Sequence, residues 1–542
     1  MYQINTLFKK IRATGILGCA LFISLLLLSY KTSFEKKQLI PPAKKPNILF
    51  VISDDQSYPH ASAYGFKAIN TPAFDKIAKE GALFTNAVVA SPGCSPSRAA
   101  ILTGRNCWQL EEAGTHASSF SKKYITYPDL LEEAGYFVGF TGKGWGPGDW
   151  SKSGRNRNPT GPEFSKIKLN NNPPGISNNN YAANFSDFLS KRKSDQPFCF
   201  WFGAFEPHRF FSKGRGLKSG KKLEDVEVPA FLRDKPEVRS DILDYCMEIE
   251  WFDNQLEKMI SELEKTGELN NTIIVVTSDN GMAFPRAKAN TYEYGIHVPL
   301  AIRWGNNIKP GTRINNVVSL IDLAPTVLEA AGVIHPGTKP GNYAMEGISM
   351  LSVLTNKKRA AKDTLRTGVY SSRERHSFAR WNNLSYPQRA LRTNDYLYIR
   401  NFKPELFPAG DPQKLEKDST TGEMKLGAPH SGYNDIDASP TLDFLVKNRD
   451  DKSVSEYFHL AVDKRPAEEL YNIKKDPSCL NNLAKNPAFQ KTRNELKKRI
   501  DSYLRKTNDP RIMGKGDIFE TYPRYEGVSR DYPPHTSSFQ KK

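Results

Sequence analysis

Cys94 stands where a chain would place a nucleophile. In the run Cys94-Ser-Pro-Ser-Arg98-Ala-Ala-Ile-Leu-Thr-Gly104-Arg105, Pro96 suits a first helical turn, Ser95 or Ser97 can cap it, and Ala99 to Leu102 continue as buried helix. Free N–H groups and a partial positive charge would converge beside Cys94, which predicts an anion there. Two strand-like runs supply hard oxygen ligands. Pro46 to Ser53 is apolar and ends in Asp54-Asp55; Thr272 to Ser278 is apolar and ends in Asp279-Asn280-Gly281. Ligands of an open α/β sheet collect beyond the carboxyl ends of its strands, so the two ends read as one site. Its three carboxylates and one amide carbonyl suit Ca²⁺, with Mg²⁺ as the alternative. Taken singly, Asp-Asn-Gly is a common turn and Asp-Asp a common cap. No Cys/His ligand pattern near them points to zinc.

Cys94-x-Pro96-Ser97-Arg98 followed by Leu102-Thr103-Gly104 resembles the maturation motif of the type I sulfatases, whose cysteine is oxidised after translation to formylglycine. A thiolate could attack sulfur but would leave an ester with no easy exit, whereas a hydrated aldehyde has two hydroxyls on one carbon. The resemblance implies that one hydroxyl displaces the substrate alcohol or amine, and that deprotonation of the other collapses the hemiacetal and releases sulfate. It also implies that Asp54, Asp55, Asp279 and Asn280, with residue 94, hold the cation, and that Arg98 belongs to the catalytic set. Thr141-Gly142-Lys143 matches the family's sulfate-binding lysine, and Lys288 matches a second, sulfate-clamping lysine. His208 of Pro207-His208, just past the apolar run Pro197 to Phe205, takes the place of the general acid. The chain departs from the family at Gly144-Trp145-Gly146, which carries no histidine two places after the lysine. His297, where relatives often carry arginine, reads as structural. Arg373, Arg375 and His376 are candidates for sugar or carboxylate contacts, against the alternative of a solvated basic loop.

These residues need a scaffold that presents strand ends together. Strand-like runs alternate with helix-like ones such as Thr71 to Glu80 and Ile242 to Lys265, which points to a doubly wound sheet sandwiched by helices; the resemblance implies its alkaline-phosphatase-like form. Leu320 to Gly332 reads as a helix closing the catalytic region, and 151–180, rich in Gly, Asn and Pro, as a surface loop near the active-site face. From about 360 the pattern changes to shorter polar strands and a last helix near 487–506, a smaller C-terminal α+β subdomain. The expected order is an export segment 1–30, a linker 31–45, a catalytic domain 46–360, the subdomain 361–510 and a polar tail 511–542.

The 542 residues carry 25% charged and 38% hydrophobic side chains and a formal net charge of +18, a globular composition that favours polyanionic partners. No zinc-finger, RRM-like or helix-turn-helix pattern points to nucleic acid. Lys9, Lys10 and Arg12 precede the apolar run Ile16 to Leu28, which reads as an export signal to the periplasm or exterior. An uncleaved anchor, the chain's only membrane contact, and a lipoprotein site at Cys19 are the alternatives. Pieces outside the catalytic motifs, Leu384-Ser-Tyr-Pro387 and Asn508-Asp-Pro510 among them, are similar to the heparan N-sulfatase subgroup. The expected function is hydrolysis of sulfate esters or sulfamates on a sulfated polysaccharide or its oligosaccharides. An O-sulfatase acting on an algal polysaccharide such as ulvan is the alternative, and a phosphate or phosphonate ester hydrolase on the same fold a remoter one. The resemblance implies one further partner, a formylglycine-generating or anaerobic sulfatase-maturing enzyme.

Overall fold

A computed structural model of the chain describes residues 44–338, 343–355 and 366–534. The expected export segment, the Cys19 lipoprotein site and nearly all of the linker lie outside the described residues. The described residues from Pro46 onward form one compact unit.

Eight strands build the main sheet: β1 (Asn47–Ser53), β2 (Ala82–Val88), β3 (Phe137–Gly142), β4 (Phe198–Gly203), β5 (Thr272–Ser278), β6 (His297–Arg303), β7 (Thr312–Ile314) and β8 (Val318–Ser319). They run in the order β3-β4-β1-β5-β6-β2-β7, with β8 beside β2. Every residue of β1, β4 and β5 is buried, as expected of strands covered on both faces. The side chains of β1 alternate accordingly. Leu49 and Val51 pack with Phe74, Phe185 and Phe252 from the helices Pro72–Glu80, Tyr181–Lys191 and Pro236–Lys265. Ile48, Phe50 and Ile52 share the opposite core with Ala99, Leu130 and Val327 from the helices Cys94–Thr103, Tyr127–Glu133 and Leu323–Ala330.

The register brings the chemistry together. In the parallel pairs, Ser53 lies opposite Ser278, Ile52 opposite Gly203, and Gly142 opposite Gly203. The residues that follow, Asp54-Asp55, Asp279-Asn280, Lys143 and Glu206 to His208, therefore emerge along one edge. β6 is antiparallel to both β5 and β2, so β2 also ends at that edge and leads into the helix Cys94–Thr103. The sheet is thus mixed rather than wholly parallel.

Further along the chain come β9 (Val369–Arg373), β10 (Gln388–Arg392), β11 (Tyr396–Asn401), the separate short hairpin of β12 (Leu415–Lys417) and β13 (Met424–Leu426), and β14 (Glu468–Asn472). Four of them form a second, antiparallel sheet in the order β14-β11-β10-β9. Leu496, Ile500 and Leu504 of the helix Gln490–Lys506 cover Leu391, Tyr398 and Leu470 of this sheet. Ser372 N–H donates to the Ala90 carbonyl at 2.8 Å, which ties the sheet to the segment just before Cys94.

Buried charge locks these layers. The Arg389 guanidinium is fully buried and donates to Asp509 at 2.6 and 2.9 Å and to Glu374 at 2.7 Å. Taking one partner from a buried pair leaves an uncompensated charge, so Asp509→Ala is expected to cost about 3–5 kcal/mol in denaturant unfolding. A loss under about 1 kcal/mol would show that the cage carries no such role.

Glu293 forms a comparable knot with Arg392, at 2.9 Å, and His297. Burial alone would raise its carboxyl, but Arg392 and the His297 ring hold it down to about 2, against an ordinary 4.5. A depressed folded-state value gives stability that is present above the unfolded value and lost as pH falls from about 4.5 towards 2, on the order of 3 kcal/mol. Melting curves between about pH 6 and 3 should therefore fall steeply for the wild type and less steeply for Glu293→Gln; parallel slopes would dissociate Glu293 from acid lability.

Candidate active site

The helix Cys94–Thr103 begins at the cysteine itself, with extended Gly93 as its N-cap and left-handed Gly104 closing it. No side chain caps it: Ser95 Oγ accepts from Ala117 N–H at 3.0 Å, and Ser97 Oγ is buried without a partner. Its first N–H groups consequently remain beside Cys94, as anion binding at a helix start requires.

Cys94 Sγ lies 3.2 Å from Asp54 Oδ1 and 3.9 Å from Asp55 Oδ1. Asp54, Asp55, Cys94 and Asp279 are all buried, each offering a ligand atom within 4.8 Å of the others. Asn280 Nδ2 donates to Asp55 Oδ1 at 2.7 Å, whereas Asn280 Oδ1 is buried without any hydrogen-bond partner. Three converging carboxylates and an orphaned amide oxygen have the composition of a hard dication site. Asp55 adopts a left-handed φ of 76°, and the Tyr245 hydroxyl, donating to its carbonyl at 3.1 Å, helps to hold it there. Such a conformation costs a non-glycine residue on the order of 1–3 kcal/mol and persists only where the surroundings over-determine it.

Cations surround the carboxylates. Lys143 Nζ is 2.5 Å from Asp54 Oδ2, and Lys288 Nζ is 2.7 Å from Asp55 Oδ2. Lys143 is placed by Gly203: its N–H donates to the Gly203 carbonyl at 2.7 Å, and a Cβ at 203 would lie 1.8 Å from the Lys143 carbonyl oxygen. Arg98 is wholly buried; it donates to Asp279 Oδ2 at 2.7 Å and to the carbonyls of Lys143 and Gly144 at 2.7 and 3.1 Å. It braces the site from behind and does not line the cavity. Burial, then Asp54 and Asp279 with Lys143 and Lys288 opposing, pushes the Cys94 thiol well above its ordinary value. An unmodified thiolate is disfavoured in this setting.

His208 occupies the rim, its side chain 37% exposed, with Nε2 3.9 Å from Asp55 Oδ2. The Arg209 carbonyl, 2.7 Å from Nδ1, can only accept, so Nδ1 carries a proton and Nε2 is left to exchange one with the cavity. That cavity, about 860 Å³, contains Asp54, Cys94, Lys143, His208 and Lys288 in its wall.

Of the three substrate-contact candidates, the structure brings only His376 to this wall. Arg373 donates to Asp435 at 2.8 Å and to the Pro408 carbonyl at 2.7 Å, and Arg375 donates to the carbonyls of Tyr522 and Pro523. Neither guanidinium lines the cavity, because each is turned to acceptors within the fold, and neither forms a solvated loop. His297 hydrogen-bonds to Glu293 and the Thr85 carbonyl.

Several wall residues carry little mark in the sequence, Asp437, His116 and Arg524 among them. Asp437, from the loop before the helix Pro440–Lys447, stands 3.1 Å from Lys288 Nζ and groups with Asp55 and His208. His116 packs against His376 with ring centroids 4.5 Å apart, so histidines do reach this wall although none follows Lys143. Arg524 comes from a segment read as a polar tail. Only Asp437 had any local signal, an acidic residue just before a Ser-Pro helix start. Because Asp437 steadies the buried Lys288 ammonium, Asp437→Ala is expected to lower kcat about 10- to 100-fold and to alter the pH–rate profile. An unchanged profile would make it a bystander.

Comparison with known proteins gives concordant matches. The family model described as Sulfatase matches residues 46–333, and the model described as N-sulphoglucosamine sulphohydrolase, C-terminal, matches residues 286–417. An ulvan-active sulfatase of Formosa agariphila is 27% identical over 90% of this chain and 79% of its own length. N-sulphoglucosamine sulphohydrolase of Homo sapiens is 26% identical over 88% of this chain and 93% of its own. A solved structure in complex with its substrate, D-glucosamine-2-N,6-O-disulfate, shares the fold, with a TM-score of 0.60 at 22% identity over 88% of this chain and all of that one.

Proposed function

This chain belongs to the sulfatase family, and from that premise we propose that it removes sulfate from a sulfated glycan through an oxidised side chain at position 94. The observation that carries the proposal is the buried convergence of Asp54, Asp55 and Asp279 on Cys94, with the unpartnered Asn280 oxygen beside them. Cys94 Sγ stands in for the oxygen of a formylglycine, whose hydrate supplies one hydroxyl to bond sulfur and a second to release it. Asp54, Asp55, Asp279 and Asn280 would hold Ca²⁺. Bound there, the cation supplies Lewis acidity and lowers the pKa of a neighbouring hydroxyl.

The remaining steps fall to the protein's own groups. Lys143 and Lys288 present ammonium donors to sulfate oxygens from two sides, which favours the charge that builds up as the leaving group departs. His208 Nε2, open to the cavity, protonates the departing oxygen or nitrogen. Arg98 keeps Asp279 and the Lys143 backbone in register. The matched C-terminal model over 286–417 supports a sulfamate of the N-sulfoglucosamine kind, and the ulvan-active relative supports an O-sulfate ester. Both belong to the proposed substrate class of polysaccharides or their oligosaccharides. The segment with Lys9, Lys10, Arg12 and Ile16 to Leu28 supports export to the periplasm or exterior, and a formylglycine-generating or anaerobic maturase is the proposed partner in activation.

The test is sulfate release from N-sulfated and O-sulfated oligosaccharides, with aryl sulfate and aryl phosphate as controls. Turnover of sulfated substrates over phosphate supports the reading; preferential phosphate hydrolysis would turn it towards a phosphoesterase.

A further inference from the structure

The chain beyond the helix Gln490–Lys506 returns across the cavity as a strap pinned at both ends. Arg375 donates to the carbonyls of Tyr522 at 2.6 Å and Pro523 at 3.1 Å, Ser118 Oγ also donates to the Pro523 carbonyl, and Tyr525 N–H donates to the Ala117 carbonyl at 2.8 Å. At the far end Leu415 N–H donates to the Asp531 carbonyl at 2.8 Å, and the buried Tyr532 hydroxyl accepts from Asn434 Nδ2 at 2.6 Å. Between these anchors, Arg524, Glu526, Gly527, Val528 and Arg530 form part of the same wall as Cys94 and Lys288, two cations of the strap to its one carboxylate.

Arg524 differs from the arginines that lock the core. Arg98, Arg373, Arg380 and Arg389 are buried and each meets a carboxylate. Arg524, Arg530 and Arg375 pair with no carboxylate among the described residues. Arg524 Nη1 donates to the carbonyls of His376 and His116, its guanidinium lies over the Phe378 ring at 5.2 Å, and its Nε is buried without a partner. Its Nη2 donates to no described residue. The planar fork is thus held in place while three of its five N–H donors stay unused, in a cavity whose floor already has two lysines for one sulfate. Burial first, then the like charge of Arg375, push Arg524 down to about 10, and an incoming anion would relieve both.

We propose that Arg524, supported by Arg530, receives a second anionic substituent, sulfate or carboxylate, of the glycan whose scissile sulfate lies at residue 94, and so selects multiply charged substrates. This rests on the reading of the cavity as a glycan sulfatase site. Guanidinium and sulfate or carboxylate match in shape as two parallel N–H···O bonds, and a charge-assisted pair in a partly enclosed wall is worth about tenfold or more in affinity.

The matured protein is assayed on a glucosamine bearing one sulfate, the same sugar bearing two, and a disaccharide joining the singly sulfated sugar to a uronate. For Arg524→Gln, and separately Arg530→Gln, the ratio of kcat/KM on doubly charged to singly charged substrate is expected to fall, about tenfold or more for Arg524, mostly through KM. A fall on the disulfated sugar identifies sulfate as the recognised group, and a fall on the disaccharide identifies carboxylate. Ratios unchanged in both variants, or equal losses on all three substrates, overturn the proposal alone. A wild-type protein that releases sulfate from none of these and from no other sulfated oligosaccharide overturns the parent reading and this one with it.

Discussion

Cys94→Ala eliminates turnover, with kcat falling about 10⁵-fold or more, the scale seen when a nucleophile is removed from an assembled site. The protein should nevertheless fold, because Cys94 contributes one small side chain at a helix start and surrendering it costs about 1 kcal/mol. Cys94→Ser separates two roles more finely. A serine that escapes oxidation has one hydroxyl, which can bond sulfur but leaves nothing on the same carbon to expel the sulfate. The expected result is a burst of no more than one equivalent of leaving group followed by arrest. Repeated turnover by the unoxidised Cys94→Ser variant would show that water attacks sulfur and that the aldehyde is dispensable.

Asp279→Ala should damage both chemistry and fold. Arg98, fully buried and 2.7 Å from Asp279 Oδ2, loses its main counter-charge, a change that costs about 3–5 kcal/mol when a buried pair is broken. The proposed cation site loses one of three carboxylates. A ligand that binds only the folded state raises its stability by about 2.7 kcal/mol at a hundredfold excess over Kd, so wild-type protein should melt several degrees higher with Ca²⁺ than with chelator. Asp279→Ala should show a lower melting temperature and almost no Ca²⁺ shift. A full wild-type shift in the variant would place the cation elsewhere.

Much of this site could be read from strand ends, because a buried strand is a visible apolar run and the residue after it must emerge at an edge. Ile48 to Ser53 and Ile273 to Ser278 are of that kind, and their pairing opposite one another assembled Asp54, Asp55, Asp279 and Asn280 as expected. Strand direction was less visible. His297 to Arg303 is largely apolar whichever way it runs, and the connection from Ser278 carries Lys288 through the site instead of forming a long crossover helix, so β6 returns antiparallel. Asp437, His116 and Arg524 come from loops with no period, where only tertiary folding decides which side chain faces the cavity. Arg373 and Arg375 misled for a related reason: a cluster of charges resembles a solvated surface until Asp435 and the strap carbonyls are seen to meet them.

The most direct measurement pairs peptide mass spectrometry of position 94 with sulfate release, on protein from hosts with and without maturase. An aldehyde is expected in place of the thiol, with activity proportional to the oxidised fraction. Full activity from protein in which every molecule retains the Cys94 sulfur would contradict it.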